Sequence, residues 1–212
     1  MQPLDQLVCY QISGGQFQTK KNMSYKRARL GVCPVQLKMN QQELLHKYLI
    51  AFGGQCGSKF SKMVEKYNIR ANVWQTMPEL NVARINASGF VLGNDNLYVF
   101  GGQFEPRPAN ALHANCLVIE RLNLKNCHLM KKFELLEITM PPSLFQTPSL
   151  TEVGIYIPSS FEAIIFGGFS SLENQSKGTV FKFLSCQGTP ETIEQEASGL
   201  SKEDFFVCQD AL

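Results

Sequence analysis

The chain has 212 residues, 44% of them hydrophobic, with 20 Lys plus Arg set against 18 Asp plus Glu. That length and apolar content suit one large domain or two small ones, and so small a charge excess provides no broad field for a polyphosphate backbone, so no nucleic-acid partner is expected. The seven cysteines are scattered and never form a C-x-x-C pair, which argues against a disulfide framework and a structural zinc site and for a reducing compartment.

Residues 1–10 show no basic segment followed by an apolar one, and no apolar run approaches about 18 residues. A cytoplasmic protein with no membrane contact is therefore expected. The densest basic run, Lys20, Lys21, Lys26, Arg27 and Arg29, reads as a solvated loop or sheet edge.

Long stretches with apolar residues at three-and-four spacing are missing, whereas short apolar runs bounded by Gly, Pro and Asn recur. The chain reads as all-β. In chain order, strands are predicted at 28–37, 48–52, 63–69, 73–77, 87–92, 96–100 and 116–124, with weaker candidates at 129–136, 153–157, 162–166 and 179–184. Gly93-Asn94-Asp95-Asn96 stands between two apolar runs with the turn chemistry of a tight hairpin.

The stretch from Tyr10 overlays the stretch from Tyr67 at one constant offset, 67 − 10 = 74 − 17 = 84 − 27 = 57. Tyr10 then matches Tyr67, Phe17 matches Trp74 and Arg27 matches Arg84. In this register Gly14-Gly15 falls on Ala71-Asn72, a turn between strands. The diglycines that close apolar strands are Gly53-Gly54, Gly101-Gly102 and Gly167-Gly168. The first two lie 101 − 53 = 48 apart; the missing nine residues sit in the longer connection 38–47, where the second copy has its tight turn, and a hairpin tip is where a repeat tolerates insertion.

A repeat of about 50 residues with four strands, in which an apolar strand ends in Gly-Gly and is followed by Tyr, an aromatic seven later and Arg before the next strand, resembles the kelch repeat. The middle copy carries the resemblance best, with Phe52-Gly53-Gly54-Gln55, Tyr67, Trp74 and Arg84. The third copy places Leu122 and Leu129 where Tyr and Trp are expected, and nothing matches Arg84. The resemblance implies an all-β fold of kelch-type β-propeller blades, each of four antiparallel strands a to d, in an incomplete ring. Residues 1–190 form the repeat region: a partial blade at 1–25, blades at 26–80 and 81–138, and a degenerate blade at 150–190. Residues 191–212 follow as an outer strand or tail. About three and a half blades do not close a ring; the chain is either a fragment of a longer protein, the reading preferred, or closes against another chain. Self-association through open edges is expected.

Within that frame Gly53, Gly54, Gly101, Gly102, Gly167 and Gly168 read as architecture, Trp74 and Phe17 as wedges between blades, and Arg84 and Arg27 as donors to carbonyls or a carboxylate between blades. The loops after each diglycine, between strands b and c, differ in length and composition and emerge on one face with the d-to-a connections. They carry the candidate partner-binding residues Lys59, Phe60, Phe104, Glu105, Arg107 and His113. His46, read in an a-to-b connection, and His128, in a c-to-d turn, lie on the other face from His113, so no metal or cofactor is expected, nor any catalytic residue. The expected function is a non-catalytic kelch protein-interaction module. The alternatives are the substrate-recognition part of a cullin-type ubiquitin ligase adaptor and a kelch-like propeller enzyme acting on a small molecule or sugar.

Overall fold

The computed structural model describes residues 4–38, 45–92, 95–105 and 118–136, and the backbone of 154–157, 162–166, 169–170, 175–176, 180–186 and 205–209. The first unit is a hairpin of β1 (Val8–Gln11) and β2 (Gln16–Thr19), with Tyr10 opposite Phe17. The next contains β3 (Gly31–Lys38), β4 (Leu45–Phe52), the short hairpin β5 (Gln55–Cys56) and β6 (Lys59–Phe60), β7 (Val64–Asn68) and β8 (Val73–Thr76). Strands β3, β4, β7 and β8 pair in that order as an antiparallel sheet. After β9 (Ala83–Ile85), β10 (Ser88–Leu92), β11 (Asn96–Phe100), β12 (Gln103–Glu105), β13 (Ile119–Asn123) and β14 (Glu134–Leu136) follow. Here β10, β11, β13 and β14 repeat the sheet order, and β12 pairs back onto β9.

The last sheet is built from β15 (Gly154–Ile157), β16 (Glu162–Phe166), β19 (Val180–Cys186) and β20 (Phe205–Gln209), with β17 (Phe169–Ser170) and β18 (Gln175–Ser176) as a hairpin between β16 and β19. Its outer strand departs from the pattern: β20 runs parallel to β19. An antiparallel partner needs only a short turn, and residues 187–204 separate the two strands, a length that permits a parallel crossover. The architecture is all-β, with one 3-10 turn at Cys127–Leu129 among the described residues.

The offset of 57 holds in three dimensions. Tyr67 faces Trp74 as Tyr10 faces Phe17, and the ring pairs lie 5.0 and 4.8 Å apart. Positive φ recurs at Gly15 (62°) and Asn72 (55°), and again at Arg29 (56°) and Asn86 (53°). Gly14-Gly15 thus sits in the β1–β2 turn and ends no inner strand. Gly14 and Gly53 are not equivalent.

Sheets pack face to face, so the apolar residues of successive strands point between them. Cys33, Val35, Ile50, Phe52, Val64, Leu80, Leu97, Val99, Leu122 and Phe133 form the core between the second and third units. Inner strands approach closely where side chains are missing. At Gly31 an added Cβ lies 2.2 Å from the Phe52 ring, and at Gly89 it lies 2.8 Å from the same ring.

Three sequence expectations change. Arg121 faces Glu134 in the last pair of the β13–β14 ladder, and Phe133, the residue before it, lies with Leu122 in the core cluster. The aromatic of the third unit is therefore Phe133, 3% exposed, whereas Leu129 is 75% exposed in the 3-10 turn; extra residues in the c-to-d turn moved the aromatic along the chain. His46 lies in β4 opposite Leu37, not in a connection. Phe17, expected as a buried wedge, is 77% exposed, because the described contact of its ring is Tyr10 on its own hairpin. Trp74 does bridge units: its Nε1 donates to the Lys21 carbonyl at 2.8 Å.

Candidate functional site

The loops between b and c strands begin at diglycines whose backbones only glycine adopts readily. Gly101 and Gly102 have φ of 65° and 81°, and a Cβ on Gly102 lies 2.3 Å from the Ile85 carbonyl oxygen. The chain turns out of the inner strand and, in the second unit, passes against the connections both before and after the sheet. Gly54 N–H donates to the Arg84 carbonyl at 2.8 Å, and Gln55 and Ala28 exchange backbone hydrogen bonds at 2.7 and 2.9 Å.

Each such connection sends one arginine into the sheet that follows it. Arg27 Nη1 donates to the carbonyls of Gly53 (2.9 Å) and Met63 (2.7 Å), the residues flanking the loop 54–62. Its Nη2 donates to Glu65 Oε2 at 2.8 Å. Arg84 repeats the arrangement, with Nη1 reaching Gly101 and Val118 carbonyls, both at 3.0 Å, on either side of loop 102–117. Its Nη2 reaches Glu120 Oε1 at 2.6 Å. Each carboxylate is held from the other side by backbone: Glu65 accepts from Ser24 N–H at 2.9 Å, and Glu120 from the N–H groups of Asn81 and Val82. One guanidinium nitrogen therefore ties together both stems of a loop, whatever its length.

All four charged side chains are buried. Arg27 thereby leaves the basic run read as solvated. Burial lowers both arginines from their ordinary value, and the adjoining carboxylates raise them in part. Such pairs are costly to break from one side, because the remaining charge stays buried. Both Nε atoms have no hydrogen-bond partner.

The candidate binding residues separate. Lys59 is exposed and Phe60 half-buried on the β5–β6 hairpin, whose tip turns at Gly57 with φ of 61°. Phe104 is corrected: it is 9% exposed, opposite Arg84 in the β12–β9 pairing, with its ring 5.5 Å from the Arg84 guanidinium carbon. It covers the arginine and belongs to the loop stem, not the loop surface. Glu105 ends β12 opposite Ala83. Arg107, His113, Gly167 and Gly168 lie outside the described residues. The structure thus brings Arg84, Phe104, Gly101 and Gly102 together and leaves Lys59 on the open hairpin of the other loop.

Sequence reasoning missed Glu65 and Glu120. A signal existed: each is an acid two residues before the Tyr67 or Leu122 position, inside a strand that is otherwise half-apolar. The register also shows where the device stops. Ala51, Val99 and Ile165, each two residues before a diglycine, pair with Glu65, Glu120 and Phe181. The connection before the last sheet, 137–153, contains no arginine. Arginine and glutamate are present together or replaced together. Among the described residues no group of three His, Cys, Asp or Glu side chains is placed to hold a metal ion, and no helix is long and apolar enough to cross a membrane.

Residues 45–81 match the family model for the kelch motif. No curated protein matches the chain.

Proposed function

We propose, from the premise that this chain is a kelch-repeat protein, that it is a non-catalytic protein-interaction module whose b-to-c loops carry the contact with its partner. One observation supports this reading above the others: homologous arginines clamp the stems of two loops that differ in length and sequence. A rigid stem lets a loop vary without loosening the sheet, which is how binding loops sit on conserved scaffolds. Lys59 at the β5–β6 tip, Glu105 at the end of β12, and Arg107 and His113 beyond it are the proposed contact residues.

The test is to replace residues 106–116 with a Gly/Ser linker and, separately, to place a photo-crosslinking residue at Lys59. The reading requires that crosslinking at Lys59 captures a protein that crosslinking at the exposed Leu135 does not, and that the linker weakens the capture while thermal unfolding stays unchanged. Capture indifferent to both changes overturns it. Recovery of a cullin subunit would narrow the role to substrate presentation for a ubiquitin ligase, and turnover of a sugar or other small molecule by the purified chain would replace the reading with a catalytic one.

A further inference from the structure

Sheets that touch along their inner strands splay at their outer ones. Between the outer part of the second sheet and the β13–β14 connection this leaves a cleft of about 580 Å³. We propose that this cleft binds an extended acidic segment of a partner protein, at a surface separate from the loop face and independent of its role.

Three observations carry the proposal. The charged side chains lining the cleft are Lys66 and Lys131, with His128 beside them and no carboxylate among the lining residues. Neither lysine has a carboxylate within ion-pair distance among the described residues. Lys66 instead sits with its Nζ 5.0 Å from the centre of the Tyr48 ring. In a chain whose charges nearly balance, this is a local concentration of unmatched positive charge.

The second observation is backbone. Strand β8 pairs only with β7 among the described residues, and Gln75 and Thr76 from it line the cleft. The β13–β14 connection already bonds the chain just past β8: Glu79 N–H donates to the Lys131 carbonyl and Phe133 N–H donates to the Glu79 carbonyl, at 3.2 and 2.9 Å. That pairing stops before Val73–Thr76, leaving the edge open to an added strand. Third, the apolar lining, which also contains Pro78 and Cys127, includes two methionines, Met77, buried, and Met130, 37% exposed; methionine adapts to varied apolar side chains. Two lysines and a histidine are too few for a nucleic-acid backbone, whose binding needs many phosphate contacts, and no aromatic ring lines the cleft for base stacking.

The full chain, titrated into a fluorescein-labelled short peptide of alternating Glu and Leu, should raise its anisotropy saturably at low salt and progressively less as salt screens the contact. Lys131→Glu, which disturbs no ring contact, should weaken binding by about tenfold, and Lys66→Glu by at least as much. Lys26→Glu, on the exposed connection before β3, should not. Amide exchange at Val73–Thr76 should slow when the peptide is bound. Equal affinity for a Lys/Leu peptide, unchanged affinity in both lysine variants, displacement by a single-stranded oligonucleotide at lower concentration, or a dimer whose formation occupies the cleft would each overturn the proposal. Lysine-dependent binding without protection of Val73–Thr76 would overturn the strand-addition geometry.

Discussion

Arg84 and Glu120 stand 36 residues apart in sequence and 2.6 Å apart in space, with neither side chain exposed. The same arginine also holds two carbonyls, so removing it strands a carboxylate and two acceptors together. Arg84→Met is expected to destabilise the fold by about 3–5 kcal/mol, as breaking a buried pair from one side does. Glu120→Gln, which keeps a polar acceptor for the Asn81 and Val82 amides, should cost less. The double change Arg84→Met/Glu120→Met should cost less than the sum of the single Met changes, since no lone charge remains. Denaturant unfolding of the wild type, Arg84→Met, Glu120→Met and the double Met variant measures this coupling; strict additivity would falsify the clamp.

Backbone conformation separates glycines that look alike in sequence. Gly102 has positive φ and no room for a Cβ, whereas the nearest atom to a Cβ on Gly14 is the Gln11 side chain at 3.9 Å. Gly102→Val should destabilise by about 1–3 kcal/mol, with Gly14→Ala near neutral. Gly15→Asn should also be tolerated, because Asn72 holds the same conformation one repeat later. Equal shifts in melting temperature for Gly102→Val and Gly14→Ala would contradict this.

How much of this was legible beforehand differs by residue. The constant offset displayed Tyr10, Phe17 and Arg27 as counterparts of Tyr67, Trp74 and Arg84, because aromatic and arginine side chains mark fixed positions in a repeating sheet. The third aromatic was hidden by inserted turn residues: spacing alone chose Leu129, while burial in the core with Leu122 selects Phe133. Phe104 misled for a different reason. A phenylalanine after a diglycine reads as loop until β12 is seen pairing with β9, a contact between segments with no periodic signature. Glu65 and Glu120 were visible letters whose burial only their arginines explain.

Cys33 is 3% exposed on the inner strand β3, and burial pushes its thiol up to about 12. In the unfolded chain the thiol titrates near 8.5. The folded value is the higher one, so the fold favours the protonated form. This contribution is whole below about pH 8.5 and disappears as pH rises through the folded value. The wild-type chain should therefore lose stability relative to Cys33→Val above about pH 9. A thiol reagent applied at neutral pH should label the exposed Cys9 and Cys56 and reach Cys33 only after denaturant is added. Rapid labelling of Cys33 in the native chain, read by mass spectrometry, would refute its placement.

The first hairpin exposes Val8, Tyr10, Ile12 and Phe17 at 50, 51, 88 and 77%, and β1 has one edge unpaired among the described residues. An apolar, open-edged hairpin favours association. The 212-residue chain should sediment as a concentration-dependent dimer or larger species, and Ile12→Lys with Phe17→Asp should shift it toward monomer without lowering its unfolding midpoint. A wild-type monomer at all concentrations would rule this out.

The direction of the clamp has a consequence for synthesis. Arg27 precedes Glu65 by 38 residues and Arg84 precedes Glu120 by 36, so each arginine leaves the ribosome well ahead of its carboxylate. A guanidinium cannot settle into an apolar sheet without its counter-charge, and each sheet must wait for its third strand to emerge before closing. Closure of one unit also fixes the connection that carries the next arginine, since the Gly54 amide holds the Arg84 carbonyl. The nascent chain is therefore expected to complete its sheets in the order in which they are translated, and a ribosome pausing between residues 84 and 120 would hold an arginine whose carboxylate has yet to emerge.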